Sequence, residues 1–454
     1  MKKIVIVIAV LFFISCKTEI KEAQLKEIKQ DSLAPISDEI LENAVIYEAN
    51  IRQYSVEGTF NKFTEDIPQL KELGVKIIWL MPIYPISKTN SKGSLGSYYA
   101  VSDFTKVNPE FGNMDDVKSL IETAHSNGIY IILDWVPNHT GWDHVWIKEH
   151  PEYYTKNETG EITHPAGTDW TDVADLNYDN HEMRKEMLED MKYWIKDMNV
   201  DGFRCDVAGS VPLDFWKNTI TELKKVKPIF MLAEAWEPAL MKNGFDMAYG
   251  WDTHHRMNQI AQGKENVKNW DARMTQIDTL YKKDDILMNF VTNHDENSWS
   301  GTVKERMGDA SETMLALSYC TPGMPLIYSG QEYDLDKRLL FFEKDTIPKI
   351  KGEVWPKLVK LGKLKNNYKA LNGGKNAATY TKINTSNNEN ILMFSRAKDG
   401  DSITFMANLS NKKVVFTSEK EGESVDFFNN EKVIFSKEKE VLLKAWEYKI
   451  LINQ

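Results

Sequence analysis

The regular exchange of two kinds of segment, from Val45 onward, constrains this chain more than any other feature. Apolar runs of strand length stand at VIYEANI (45–51), VKIIWLMPI (75–83), GIYIILDWV (128–136), VDGFRCDVA (200–208), IFMLAEAW (229–236), ILMNFVTNHD (286–295) and MPLIYSGQE (324–332). A weaker run, FDMAYGW (245–251), falls between the fifth and the sixth of these. Between the runs lie stretches with helical spacing and helical punctuation. Ile67, Leu70 and Leu73 recur every third residue and stop at Gly74, a C-cap signal. Asn113 can cap a helix with Asp115 and Asp116 in its first turn and Val117, Leu120, Ile121 and Ala124 on one face. Near-continuous apolar strands separated by helices predict a parallel sheet buried on both faces. Eight such units fit a (β/α)8 TIM barrel with insertions better than a doubly wound sheet, and no G-x-G-x-x-G follows the first strand.

The barrel is expected over residues 40–139 and 177–372. The long connection after the third strand, residues 140–176, is rich in Trp, His, Asp and Gly and reads as a small inserted domain over the barrel mouth. After Gly373 and Gly374 the pattern changes to short alternating runs such as ILMFSRA (391–397), SITFMANL (402–409) and EYKILI (447–452). These predict a C-terminal antiparallel β-sandwich domain over 373–454.

At the other end, MKKIVIVIAVLFFISC carries two lysines, an apolar run from Ile4 to Ile14 too short to span a bilayer, then Ser15 and Cys16. It reads as a lipoprotein signal peptide over 1–15 with Cys16 as the lipidated first residue; the alternative is a plain secretory peptide cleaved nearby. Either way the chain is exported. Lys- and Glu-rich residues 16–39 read as a flexible tether, and a lipid on Cys16 implies an outer-membrane-associated lipoprotein, on the periplasmic face or the cell surface. Cys205 and Cys320 then remain, both in apolar surroundings, and read as buried thiols.

Composition narrows the function classes. The net charge of −11 and the absence of a basic run argue against nucleic acid as a partner. The 13 tryptophans suit either sugar stacking or core filling.

The strand VDGFRCDVA raises a specific chemical question. Side chains of a barrel strand alternate between the helix layer and the axis. Phe203, Cys205 and Val207 are therefore expected to face the helices, while Arg204 and Asp206 face inward at the C-terminal rim, where barrel enzymes keep their catalytic groups. A purely structural ion pair would also explain Arg204 and Asp206. Yet the third strand ends in Asp134, Asn138 and His139, the fifth in Glu234, and the seventh in His294 and Asp295. Burying so many carboxylates together is costly unless their charge is used or paired. Asp206 and Glu234 on neighbouring strands suit glycosidic bond cleavage with retention, which needs carboxyls roughly 5 to 5.5 Å apart. Arg204 is expected to hold Asp206 ionised, and Asp295 to bond ring hydroxyls.

These segments together resemble glycoside hydrolase family 13, the α-amylase family. DWVPNH (134–139), GFRCDVA (202–208), AEAW (233–236) and FVTNHD (290–295) are similar to its four signature regions, in order. DLN (175–177) resembles its fifth region and GMPLIYSGQE (323–332) its eighth-strand motif. The resemblance implies Asp206 as nucleophile, Glu234 as general acid/base and Asp295 as transition-state stabiliser. It implies Tyr99, His139, Arg204 and His294 as substrate-binding residues, with no cofactor for the chemistry. It also implies a structural calcium ion near Asn138 and Asp175. There are departures. Gly209 and Ser210 stand where many members have Lys-His, Ser97 replaces a His, and the first barrel loop lacks the Asp-x-Asn-x-Asp calcium sequence. Val207 after the nucleophile resembles neopullulanase-like members that accept α-1,6 bonds. The expected activity is hydrolysis of α-1,4-glucosidic bonds in starch, glycogen or maltooligosaccharides. Transglycosylation, α-1,6 cleavage and mere glycan binding on a retired barrel are the competing readings.

Overall fold

A computed structural model describes residues 33–452. The signal peptide, Cys16 and residues 17–32 of the tether lie outside the described residues. In chain order the first ten strands are β1 (Val45–Ala49), β2 (Val75–Leu80), β3 (Tyr130–Trp135), β4 (His139–Gly141), β5 (Val173–Asp175), β6 (Gly202–Cys205), β7 (Phe230–Ala233), β8 (Met247–Tyr249), β9 (Ile286–Asn289) and β10 (Met324–Tyr328). Eight of them close a parallel barrel in the order β1-β10-β9-β8-β7-β6-β3-β2. The weak run at 245–251 is thus a barrel strand, β8, and the fold class is the one the alternating runs predict.

The helices form where the punctuation placed them. Asn113 accepts from the N–H groups of Asp115 and Asp116, and the Asp116 carboxylate reaches back to the Asn113 N–H, a capping box on the helix Met114–Ser126. Ile67–Leu70 is helical and tightens into a 3-10 turn, Lys71–Leu73, closed by Gly74 at φ +80°.

Two layers of core follow from strand alternation. Ile46, Ile77, Trp79, Ile132, Leu232, Met247 and Leu326 point to the axis and form one buried cluster. Val45, Ile78, Leu133, Phe203 and Met231 point outward into a second cluster with the helices. The axial cluster is closed at its N-terminal end by Ile36, Leu41 and Ala44. Ala34 accepts a hydrogen bond from the Tyr130 hydroxyl at 3.0 Å, and Asp38–Asn43 is helical. Residues 33–39, placed in the tether by their polar sequence, are therefore packed under the barrel: Ile36 and Leu41 cover apolar surface that an open barrel floor would leave in water.

Between β3 and the helix His181–Lys196, β4 and β5 pair antiparallel around the short helix Val145–Glu149. The C-terminal strands are β11 (Thr379–Lys382), β12 (Ile391–Lys398), β13 (Asp401–Asn408), β14 (Val414–Phe416), β15 (Gly422–Asp426), β16 (Lys432–Phe435), β17 (Val441–Leu443) and β18 (Tyr448–Ile452). Six form a sheet, β11-β12-β13-β18-β15-β16, and β14 pairs with β17 as a ribbon. Alternation again separates two faces: Leu392, Phe394, Phe405 and Ile450 join the barrel's outer core, while Met393, Met406 and Leu451 pack under the ribbon against Phe416 and Leu443. Cys205 and Cys320 are free, buried thiols. Among the described residues no helix is long and apolar enough to cross a membrane.

Candidate active site

At the C-terminal rim the inward-facing positions change from apolar to charged within one step of two residues. Ile46 is followed by Glu48 on β1, Ile132 by Asp134 on β3, and Leu232 by Glu234 after β7, while Arg204 on β6 is followed by Asp206. Parallel register sets Asp134 beside Arg204, and Arg204 beside Leu232. The charges thus converge because adjacent strands end at the same height.

Arg204 is fully buried at the centre of this group. Its Nη1 donates to Asp134 Oδ1 at 2.7 Å and to Asp206 Oδ1 at 2.9 Å. Nη2 lies 2.9 Å from Glu234 Oε1, an ion pair whose angle falls outside hydrogen-bond geometry. Nε donates to the Tyr249 hydroxyl at 3.2 Å. The guanidinium carbon stands 4.9 Å from the Trp79 ring centre and 5.7 Å from that of Tyr99, so aromatic faces supply further stabilisation of the cation. Trp79 Nε1 and the Tyr99 hydroxyl both donate to Asp134 Oδ2 at 3.1 Å. His294 Nε2 is 2.9 Å from the same hydroxyl and 3.3 Å from Asp295 Oδ2, and its Nδ1 bonds Glu48.

β6 stops at Cys205, and Val207 adopts a left-handed conformation, φ +43° and ψ +41°. For a β-branched residue this is strained by about 1–3 kcal/mol. The strain turns the Val207 N–H onto Glu234 Oε2 at 2.8 Å. Val207 lines the cleft. It does not continue the strand toward the helices, so the expectation that it faces the helix layer is corrected.

One cation serves three carboxylates, and the electrostatics reflect it. Burial, and then the charge of Glu234, push the Asp206 carboxyl well above the usual carboxylate range, and a hydrogen bond with Glu234 adds to the rise. Arg204 pulls the other way and does not prevail. Burial and the neighbouring Glu234 thus work against the ionisation of Asp206 that Arg204 was expected to maintain. Burial also lifts Asp134 to about 6 against the pull of Arg204. His139 is buried and falls to about 4, so it is neutral at pH 7. Burial opposes the charge on His294, but Asp295 and Glu48 outweigh it and raise the imidazole to about 9.

Tyr99, His139, Asp206, Glu234, His294 and Asp295 all line one cleft of about 570 Å³. Asp206 and Glu234 thus share a cavity with Arg204 between them. Asn138 and Asp175 stand apart at the junction with the inserted segment, where the Asn138 amide bonds His139 at 3.2 Å and Asp175 pairs across the β4–β5 ladder with His139. Calcium takes six to eight oxygens. Among the described residues no group of three or more His, Cys, Asp or Glu side chains is placed to share an ion; a calcium at this junction would draw on the Asn138 and Asp175 side-chain oxygens together with backbone carbonyls.

The profile for "Alpha amylase, catalytic domain" matches residues 37–170 and 166–402. The chain belongs to the alpha-amylase family. Its fold superposes on a maltogenic alpha-amylase, AmyB, from Thermotoga neapolitana with a TM-score of 0.83 at 29% identity, covering 91% of this chain and 99% of that one. An alpha-amylase from Lactobacillus plantarum gives the same score and identity over 92% and 100%. In sequence, Alpha-amylase 3 of Dictyoglomus thermophilum is 29% identical over 339 residues, 65% of this chain and 64% of that protein. A cyclomaltodextrinase of Thermoanaerobacter pseudethanolicus is 26% identical over 400 residues, 81% and 66%. The matches thus span just under two thirds of the length of these two curated relatives.

Several members of this alpha-amylase family cleft were not singled out from sequence. Glu48, Trp79 and Tyr249 obey the same alternation as Asp134 and Arg204, so the period of two was a sufficient signal for them. Trp170, Phe341 and Phe342 line the cleft from loops, and Trp299 from the short π-helix Glu296–Ser300, where no strand alternation marks a side chain's direction.

Proposed function

We propose that this protein is a retaining glycoside hydrolase that cleaves α-1,4-glucosidic bonds in starch, glycogen or maltooligosaccharides. The observation that carries the reading is the convergence of Asp206 and Glu234 on one cleft around Arg204. Asp206 attacks the anomeric carbon, the bond to the leaving oxygen breaks, and Glu234 gives that oxygen its proton. A covalent glycosyl-enzyme results. Glu234 then takes a proton from water, whose oxygen attacks the same carbon, releases Asp206 and restores the α configuration. Asp295 and His294 bond ring hydroxyls, the Asp295 carboxylate balances developing positive charge, Tyr99 stacks on the ring, and neutral His139 donates to a hydroxyl.

Glu234→Gln removes that proton donor. Starch turnover, read as reducing ends released, is expected to fall by about 10²–10⁴-fold. Unchanged turnover overturns the assignment. The relatives include enzymes named 4-alpha-glucanotransferase, such as one from Thermotoga neapolitana at 30% identity over 328 residues. This supports transglycosylation as a second reading, in which a sugar hydroxyl replaces water in the second step; longer products at high maltooligosaccharide concentration would mark it. The N-terminal sequence supports export and a lipid anchor on Cys16. Labelling of the expressed protein with a fatty-acid analogue, lost in Cys16→Ser, tests that part.

A further inference from the structure

Glu48 is the inward residue of β1 that follows Ile46; it is fully buried and does not line the cleft. Its backbone is fixed from both sides. It pairs in register with Trp79 of β2 and Tyr328 of β10, and its carbonyl accepts from the Ser329 N–H at 3.0 Å and the Ser329 hydroxyl at 2.8 Å. The carboxylate serves one residue. Oε1 accepts from His294 Nδ1 and from the His294 N–H at 3.4 Å, and His294 is its one ion-pair partner among the described residues. Oε2 has no hydrogen-bond partner among the described residues. A carboxylate buried with a single partner is costly unless that partner carries the balancing charge.

Acceptors face the imidazole at both nitrogens. Nδ1 meets Glu48. Nε2 stands 2.9 Å from the Tyr99 hydroxyl and 3.3 Å from Asp295 Oδ2. The Tyr99 hydroxyl has one proton and donates it to Asp134 Oδ2, so toward His294 its oxygen accepts. Only the imidazolium carries a proton on each nitrogen. Of the other charges nearby, Asp134 on β3 favours that cation and Arg204 on β6 opposes it. Trp79 and Phe341 present aromatic rings to it. We infer that Glu48 is a positioning residue for the reaction: it holds His294 as an imidazolium, so that Nε2–H meets a sugar hydroxyl in the cleft as a charged donor. This inference rests on the glycosidase reading. When the imidazolium loses a proton, Glu48, which only accepts, keeps the remaining one on Nδ1, and Nε2 then faces the cleft as a lone pair. Activity therefore falls as pH rises through the His294 value of about 9.

The test uses α-maltosyl fluoride, whose leaving group departs without a proton from Glu234, so that the alkaline limb of kcat/KM does not report that residue. Fluoride release by the full-length enzyme is expected to hold until about pH 9. Glu48→Gln, similar in shape but uncharged, is expected to move this limb down by about one pH unit or more. At about pH 8.5 its kcat/KM should stand about fivefold or more below that of the unaltered enzyme, because the donor has lost its charge, with little difference at about pH 6. Glu48→Asp keeps the carboxylate and should keep the limb above that of Glu48→Gln. Coincident limbs in a folded Glu48→Gln protein overturn the inference, as does an equal loss at every pH, which a structural role alone would give. Nitrogen-15 spectra of histidine-labelled protein read the charge without turnover, the His294 signal being identified by its absence in His294→Gln. At about pH 8 both nitrogens should be protonated in the unaltered protein and one in Glu48→Gln. A neutral His294 in the unaltered protein overturns the inference whatever the activity. An imidazolium seen in an enzyme that releases no fluoride overturns the glycosidase reading instead.

Discussion

His294 is held by opposed demands: it is buried, yet it lies against Glu48 and Asp295 and is raised to about 9. A histidine raised in the folded state lends stability that is fully present below its unfolded value and is lost as pH rises through its folded value. The window here runs from about 6.5 to about 9. Glu48→Gln removes one of the two carboxylates, so the imidazole falls toward its ordinary value. The alkaline loss of thermal stability should then be smaller and be complete at lower pH than in the unaltered protein, read as Tm against pH. An identical alkaline limb in the variant contradicts the pairing. Arg204 shows the same principle with more partners. Removing one member of a buried charged group leaves the others unpaired, which costs far more than the group's net worth.

At the scale of single elements, β6 is the most restricted. Gly202 opens it at φ +147°, and a Cβ there would stand 1.8 Å from the Phe230 carbonyl oxygen of β7. Gly202→Ala must push these strands apart at the base of the segment that carries Arg204 and Asp206. A loss of about 4 kcal/mol or more, or failure to fold, is expected in denaturant unfolding; a near-neutral change contradicts the close approach. The same strand shows what sequence could and could not yield. Period-two alternation was enough to aim Asp134, Arg204, Asp206 and Glu234 at one axis, because a strand has two faces only. It failed at Val207, where the strand had already ended and the backbone turned left-handed. It was silent for Phe341 and Lys92, whose directions are set by loops folded onto other loops, and for Trp299 on the short π-helix Glu296–Ser300. It also misread residues 33–39, whose polar text conceals Ile36, buried against the barrel floor.

Across the whole molecule, the barrel and the C-terminal sheet share one apolar layer. The helix Ser311–Cys320 is buried from Thr313 through Cys320, with Leu315 and Leu317 in the same cluster as Phe394 and Phe405. A helix apolar on all sides requires cover on all sides. Arg396, fully buried, donates to the Cys320 carbonyl at 3.1 Å and to the Asn372 carbonyl at 3.0 Å, sealing the junction. Ending the chain at Asn372 should therefore give an aggregating barrel, read as loss of the monomer peak in size-exclusion chromatography. A soluble truncated barrel with unaltered Tm would show the layer to be dispensable.

The packed segment at Leu33–Asn43 fixes where upstream chain departs. Leu33 and Ile36 lie against the axial cluster at the pole opposite the rim that holds Asp206 and Glu234. Whatever precedes Leu33 therefore leaves from the base. A proposed lipid anchor on Cys16 would thus be joined to the barrel at the pole opposite its acidic cleft.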